Sequence, residues 1–185
     1  SPQAAINAAV AGLPLVVVLS LYRETPWVLV TTKDISKPQD LAGKKIAISD
    51  IRSSPYYFAR AGLKKLGLDE KQVSLVTTGG TSNSFATLAT NQVAAAVLSP
   101  PFDDKAVSSG YKKFLFLGDL ADIPYVGLFT SQSEIRNSRD RIRKTISAVL
   151  DAVAWQRANR AETIKMIAAR FKISANEAEH SYETI

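Results

Sequence analysis

A chain of 185 residues, 46% hydrophobic and 22% charged, is long enough for a real core and has the composition of a globular protein. Its 23 basic against 17 acidic residues give a formal charge of +6, spread over Lys44-Lys45, Lys64-Lys65, Lys112-Lys113 and residues 139–144. That scatter argues against a nucleic-acid stripe and suits attraction of small anions.

Cysteine is absent, which excludes disulfides, thiol catalysis and thiolate metal sites. The lone His180 has no second histidine for a zinc or triad role and is expected to be a solvated surface residue. The longest apolar run, residues 13–21, contains Pro14 and Ser20 and is too short to span a bilayer.

In chain order, residues 3–11 are alanine-rich and predict a helix that Gly12 and Pro14 end. Residues 15–19 read as a buried strand of an α/β sheet, and 27–31 as a second strand. A polar connector, 32–43, leads to a strand at 45–49. Ser53-Ser54-Pro55 then opens a helix that runs to Leu66, with Gly67 as its stop. The unit repeats: strand 73–76, loop 77–83, helix 84–90, strand 93–98, helix 101–109, strand 113–117. From Ile123 to Phe129 the chain is extended. Beyond 131–138 it turns helical, with apolar stripes through Ile142, Ile146, Val149 and Val153 and through Ile164, Ile167 and Phe171. Ser174 with Glu177 is a capping-box start for a last helix.

Strands alternating with short helices predict an α/β layer architecture. A self-contained unit at about 44–120 lies between two segments that look incomplete alone, with 27–31 and 125–130 as crossovers between them. The expected division is therefore 1–31 with 124–185 as one partial lobe carrying the C-terminal helices, and 32–123 as a second α/β lobe.

Four stretches carry a family resemblance. Lys37-Pro38-Gln39-Asp40-Leu41-Ala42-Gly43-Lys44-Lys45-Ile46-Ala47-Ile48 resembles the segment with which type II solute-binding proteins enter their second lobe. Ser53-Ser54-Pro55-Tyr56-Tyr57 resembles the polar loop and helix start that follow it. Leu88-Ala89-Thr90-Asn91-Gln92-Val93-Ala94-Ala95-Ala96-Val97 and the trailing Pro100-Pro101 are similar to a further family segment, and residues 4–18 to a stretch of the first lobe. The set is most similar to the nitrate/sulfonate/taurine and thiamine-pyrimidine-precursor group of ABC-transporter binding proteins. Asn91 and Ala94 stand where the family has glycine and aspartate, and Asp50-Ile51-Arg52 where a glycine-led loop is common.

The resemblance implies a two-lobed periplasmic-binding-protein type II fold with the second lobe complete, the first partial and a helical C-terminal region. It begins about a third of the way into family members, so the N-terminal third is expected to be missing. Implied with it are a periplasmic or other extracytoplasmic location, capture of a small, anionic ligand, delivery to the membrane subunits of an ABC transporter, no cofactor and no catalysis. An incomplete lobe also implies self-association. Two other functions share the fold: the ligand-sensing domain of a transcriptional regulator, and a thiamine-pyrimidine synthase-like enzyme. The latter needs a histidine- and cysteine-rich site that this composition lacks.

Candidate ligand residues follow from helix-terminus chemistry. Ser53, Ser54 and Pro55 open a helix whose free amides suit an anion, Arg52 adds a charge-assisted contact, and Tyr56 lies in the first turn. Serine at that point is equally an ordinary N-cap. Thr78 and Gly79 lie in a polar loop at a strand end, where α/β sheets bind ligands. Ser99, before the proline pair, ends the next strand on the same edge. The resemblance places Ser1 and Gln3 at the cleft. Trp27 and Tyr125, beside the crossovers, either stack on a ligand or pack in the core. Asp103-Asp104 are expected to cap a helix. No nucleophile–histidine pair or metal-ligand spacing is present.

Overall fold

A computed structural model describes residues 2–22, 25–121 and 125–184. Ser1 lies outside them. Helix α1, Pro2–Val10, ends where Gly12 adopts φ +94°, a conformation alanine would resist. Strand β1, Leu15–Ser20, follows Pro14. Then come β2 (Val28–Thr31), β3 (Lys45–Ile48), α2 (Ser54–Lys65), β4 (Ser74–Thr77), α3 (Thr81–Ala89), β5 (Ala95–Leu98), α4 (Phe102–Ser108) and β6 (Lys112–Phe116). The return is β7 (Gly127–Ser131), followed by helices α5 (Gln132–Asn137), α6 (Arg139–Ala158), α7 (Arg160–Phe171) and α8 (Ala175–Thr184).

Two sheets result. One has five strands in the order β4-β3-β5-β2-β6; the other pairs β1 with β7. In the larger sheet β3 runs parallel to β4 and β5, whereas β2 is antiparallel to both β5 and β6. Residues 28–31, grouped by the sequence with the outer segments, are thus hydrogen-bonded inside the larger sheet. All four are buried, as expected of a strand with no polar face.

Side chains alternate across this sheet. Trp27 and Leu29 face Ile46, Ile48, Phe58 and Leu63 on the α2 side. Val28 and Val30 face Ala47, Leu88, Leu98 and Ala106 on the α3/α4 side. Helices thus cover both faces of the five-stranded sheet, α2 on one and α3 with α4 on the other.

β1 departs from its expected role as a buried strand. It pairs antiparallel with β7 alone, shifts register between Val17 and Leu19, and leaves Val17 46% exposed. The segment before the long helix, expected to precede the helical region, itself contains α5. Ser131 caps it by accepting the Glu134 amide.

The predicted capping box forms. Glu177 accepts the Ser174 amide at 2.8 Å, and Ser174 Oγ accepts the Glu177 amide at 3.3 Å. α8 buries Ala178 and Ser181 and packs against α4, where Phe171 meets Phe102 edge-on at 6.1 Å. Exposed His180 also places Nε2 3.3 Å from Asp104 Oδ1, so it is engaged rather than merely solvated. Asp103 and Asp104 do not cap α4. They lie buried in its first turn and hold Lys113 Nζ at 3.0 and 2.8 Å. Burial raises the Asp103 pKa; the Lys113 hydrogen bond opposes that shift. Among the described residues, no helix is long and apolar enough to cross a membrane.

Candidate functional site

Because β3, β4 and β5 are parallel, their C-terminal ends open on one sheet edge, and the loops that follow collect there. The Thr78 amide donates to Ile48 O at 3.0 Å and the Gly79 amide to Ser49 O at 2.9 Å, stitching the β4 loop to the end of β3. Gly79 takes φ +83°, which explains glycine at that position.

Ser53 and Arg52 stand at the entrance of α2. Ser53 is the N-cap residue in extended conformation, yet its hydroxyl makes no capping bond. It donates instead to Asp50 O at 2.6 Å. The first amides of α2 therefore keep no side-chain acceptor from Ser53. The Arg52 amide donates to Asp50 Oδ1 at 2.9 Å, leaving the guanidinium on an exposed residue. Ser54 is buried. α3 likewise begins after Gly80, which has no side chain to cap it. Two helices thus present their positive ends on one edge, an arrangement suited to an anion.

Thr78 is occupied within its loop, its Oγ1 3.1 Å from Ile48 O and 2.7 Å from Ser84 Oγ. Tyr56 is also committed: it donates to Glu70 Oε1 at 3.0 Å and lies beneath the Arg60 guanidinium at 5.4 Å. Ser99, buried at the end of β5, lies 3.3 Å from the Tyr125 hydroxyl. The Trp27 ring is 6% exposed and belongs to the α2-side core; it meets Tyr125 edge-on at 5.5 Å. Among the described residues, its indole N–H and the hydroxyl of fully buried Thr25 find no hydrogen-bond partner.

α1 packs on β1 and β7 of the smaller sheet and brings Gln3 and Asn7 towards α2. Gln3 is buried and donates to Asn7 Oδ1 at 2.9 Å; Asn7 Nδ2 donates to the Tyr57 hydroxyl at 3.2 Å. Sequence reasoning named Gln3 and Tyr56 but missed Asn7, Tyr57 and Thr25. The available signal was the spacing of Gln3 and Asn7, one helical turn apart on α1. Among the described residues no group of three or more His, Cys, Asp or Glu is placed to hold a metal ion.

Two sheets, with loops gathered at the strand ends of the larger and α1 on the smaller hydrogen-bonded to α2 on the larger, form an architecture shared with periplasmic binding proteins. The family model described as NMT1/THI5 like matches residues 1–163, and the chain belongs to that family.

Solved structures share the fold. The periplasmic aliphatic sulphonate binding protein SsuA of Escherichia coli matches at 18% identity and a TM-score of 0.75, over 96% of this chain and 61% of that one. The alkanesulfonate-binding protein SsuA of Xanthomonas axonopodis pv. citri, bound to MOPS, matches at 20% identity and 0.76, over 96% and 62%. A desulfurization enzyme, DSZB, matches at 19% identity and 0.55, over 90% and 62%. The chain thus spans about three fifths of the length of each. No curated protein sequence matches it.

Proposed function

We propose that this chain forms the ligand cleft of an extracytoplasmic solute-binding protein that takes up a small organic anion and presents it to the membrane subunits of an ABC transporter. The observation that carries this reading is the pair of helix starts, α2 and α3, whose N-caps give no side-chain bond, on the same sheet edge with Arg52 beside them. Loop amides and a guanidinium at such an edge recognise sulfonate or carboxylate oxygens through charge-assisted hydrogen bonds. The names of the two SsuA proteins support a sulfonate in particular. The lobes of this reading are 1–31 with 124–185, and 32–123; the pairing of Val28–Thr31 with β5 and β6 supports drawing that strand into the second.

Likeness to a desulfurization enzyme raises catalysis as a second reading. Acid–base or nucleophilic chemistry needs a reactive group near the bound molecule. The chain has no cysteine, and its single histidine, on α8, is paired with Asp104 in the first turn of α4. Binding without turnover is therefore favoured.

The test is calorimetric titration with alkanesulfonates, aromatic carboxylates and pyrimidines, followed by mass spectrometry of the recovered compounds. Saturable binding of an anion that is returned intact is expected. Product that accumulates with time would replace this reading with an enzymatic one, and binding confined to neutral pyrimidines would remove the anion site.

A further inference from the structure

We infer that Asn7 and Tyr57 form a latch across the cleft that sets how far the protein closes, and through closure the affinity for ligand. The inference rests on the cleft being the binding site proposed above.

The two residues belong to different bodies. α1 packs on the β1–β7 sheet and α2 on the five-stranded one, and no strand of one sheet pairs with a strand of the other. The Asn7–Tyr57 bond joins them side chain to side chain across 50 positions of sequence. Its polarity is fixed from one side: with Oδ1 of Asn7 accepting from Gln3, Nδ2 is left to donate to Tyr57.

It is braced from the other side too. The Tyr57 ring meets Tyr56 edge-on at 5.3 Å, Tyr56 donates to Glu70, and Glu70 pairs with Arg60 at 2.6 Å. A chain of contacts thus runs from Gln3 on α1 through Tyr57 and Tyr56 to Arg60, about one turn further along α2.

A second tie sets α7 and α8 against α4, burying Ala178 and Ser181 of α8 and bringing Phe171 of α7 edge-on to Phe102. That apolar contact is costly to separate. The Asn7–Tyr57 tie is a single bond between half-exposed side chains, so it is the one that opening gives up. One such bond shifts a closed–open equilibrium by roughly two- to ten-fold. Apparent affinity follows the closed fraction by the same factor.

The absence of cysteine makes the test direct, because two introduced thiols label uniquely. Lys65→Cys on α2 and Asn137→Cys on α5, both exposed, report the distance between lobes by paired spin labels. In the ligand-free protein, Tyr57→Phe and Asn7→Ala should each move the distribution towards longer distances. The double variant should move it no further than either alone. Tyr57→Phe should also weaken methanesulfonate and a neutral isostere by the same factor.

An unchanged distribution in Tyr57→Phe, with melting temperature preserved, overturns the latch. So does a double variant whose shift is the sum of the two. If the distances move as expected but methanesulfonate does not bind, the latch stands and the proposed ligand falls.

Discussion

Tyr125 meets Trp27 edge-on at 5.5 Å while its hydroxyl lies 3.3 Å from Ser99 Oγ, so one side chain at the return crossing touches the entry of β2 and the exit of β5. Burial pushes the Tyr125 phenol pKa upward, and the Ser99 hydrogen bond pulls the other way. The residue is therefore a neutral donor and a packing element together. Tyr125→Phe should cost about 0.5–1.5 kcal/mol, the net worth of one hydrogen bond. Tyr125→Ala should cost about 3 kcal/mol, because the ring contacts to Trp27 and Tyr22 are lost as well. Urea midpoints decide it; equal losses in the two variants would mean that the hydroxyl, not the ring, holds the crossing.

The strands of the second lobe were legible because each is a short apolar run between polar or glycine punctuation, as at Lys45–Ile48 and Ala95–Leu98. α2 announced itself by Pro55 at its start and Gly67 after its end, and α8 by Ser174 and Glu177. Strand partners were not legible. Nothing local to Val28–Thr31 says that it inserts between β5 and β6, since those pairings are made with strands more than sixty positions away. Tyr56 and Tyr57 show the same limit at the site. Adjacent helical residues point about 100° apart, so composition marked the pair but not which member faces the other lobe. The burial of Asp103 and Asp104 likewise depends on Lys113, supplied by a different strand.

The two helix starts, whose N-caps give no side-chain bond, carry a prediction about ligand charge. Arg52→Ala should weaken an anionic ligand more than a neutral molecule of the same shape. A helix terminus alone contributes about 0.3–1 kcal/mol, rising to about 2 kcal/mol when partly buried, so residual anion binding should survive the loss of Arg52. Titration of methanesulfonate and an uncharged sulfone against both proteins tests this. Parallel losses would place Arg52 in packing rather than charge recognition.

Acid should loosen the C-terminal helix first. The Ser174 side-chain and backbone hydrogen bonds hold the Glu177 carboxyl below its ordinary value. A depressed folded-state pKa stabilises the fold above the unfolded value, and that contribution disappears as pH falls through the folded one. The window therefore lies below the reference value of 4.5. Hydrogen exchange at pH 3 to 6 should show α8 amides losing protection before those of α2. Glu177→Gln should abolish this early phase while leaving later acid unfolding in place. An α8 that keeps full protection until global unfolding would contradict the assignment.

The other exposed face predicts association. α6 buries none of its residues, and between it, Leu21 and Tyr22 lies an open depression of about 900 Å³ lined by Val149, Val153 and Ala148. A second depression of about 560 Å³ between α6 and α7 is bordered by Trp155 and Met166, which are 46% and 56% exposed. Among the described residues the neighbouring sheet consists of β1 and β7, and a two-stranded sheet is marginal in water without a further apolar surface to cover it. Contiguous apolar area of this kind is rarely left open on a monomer. The chain should therefore associate at micromolar concentrations. Arg141 and Lys144 border the first depression and Arg170 the second, so like charges oppose pairing and added salt should strengthen it. Light scattering at low and high ionic strength measures both effects. Leu150→Glu with Trp155→Glu, both about half exposed, should shift the population to monomer and make the urea midpoint independent of protein concentration. A monomer at every concentration and salt level would show that the α6 face is stable in water as it stands.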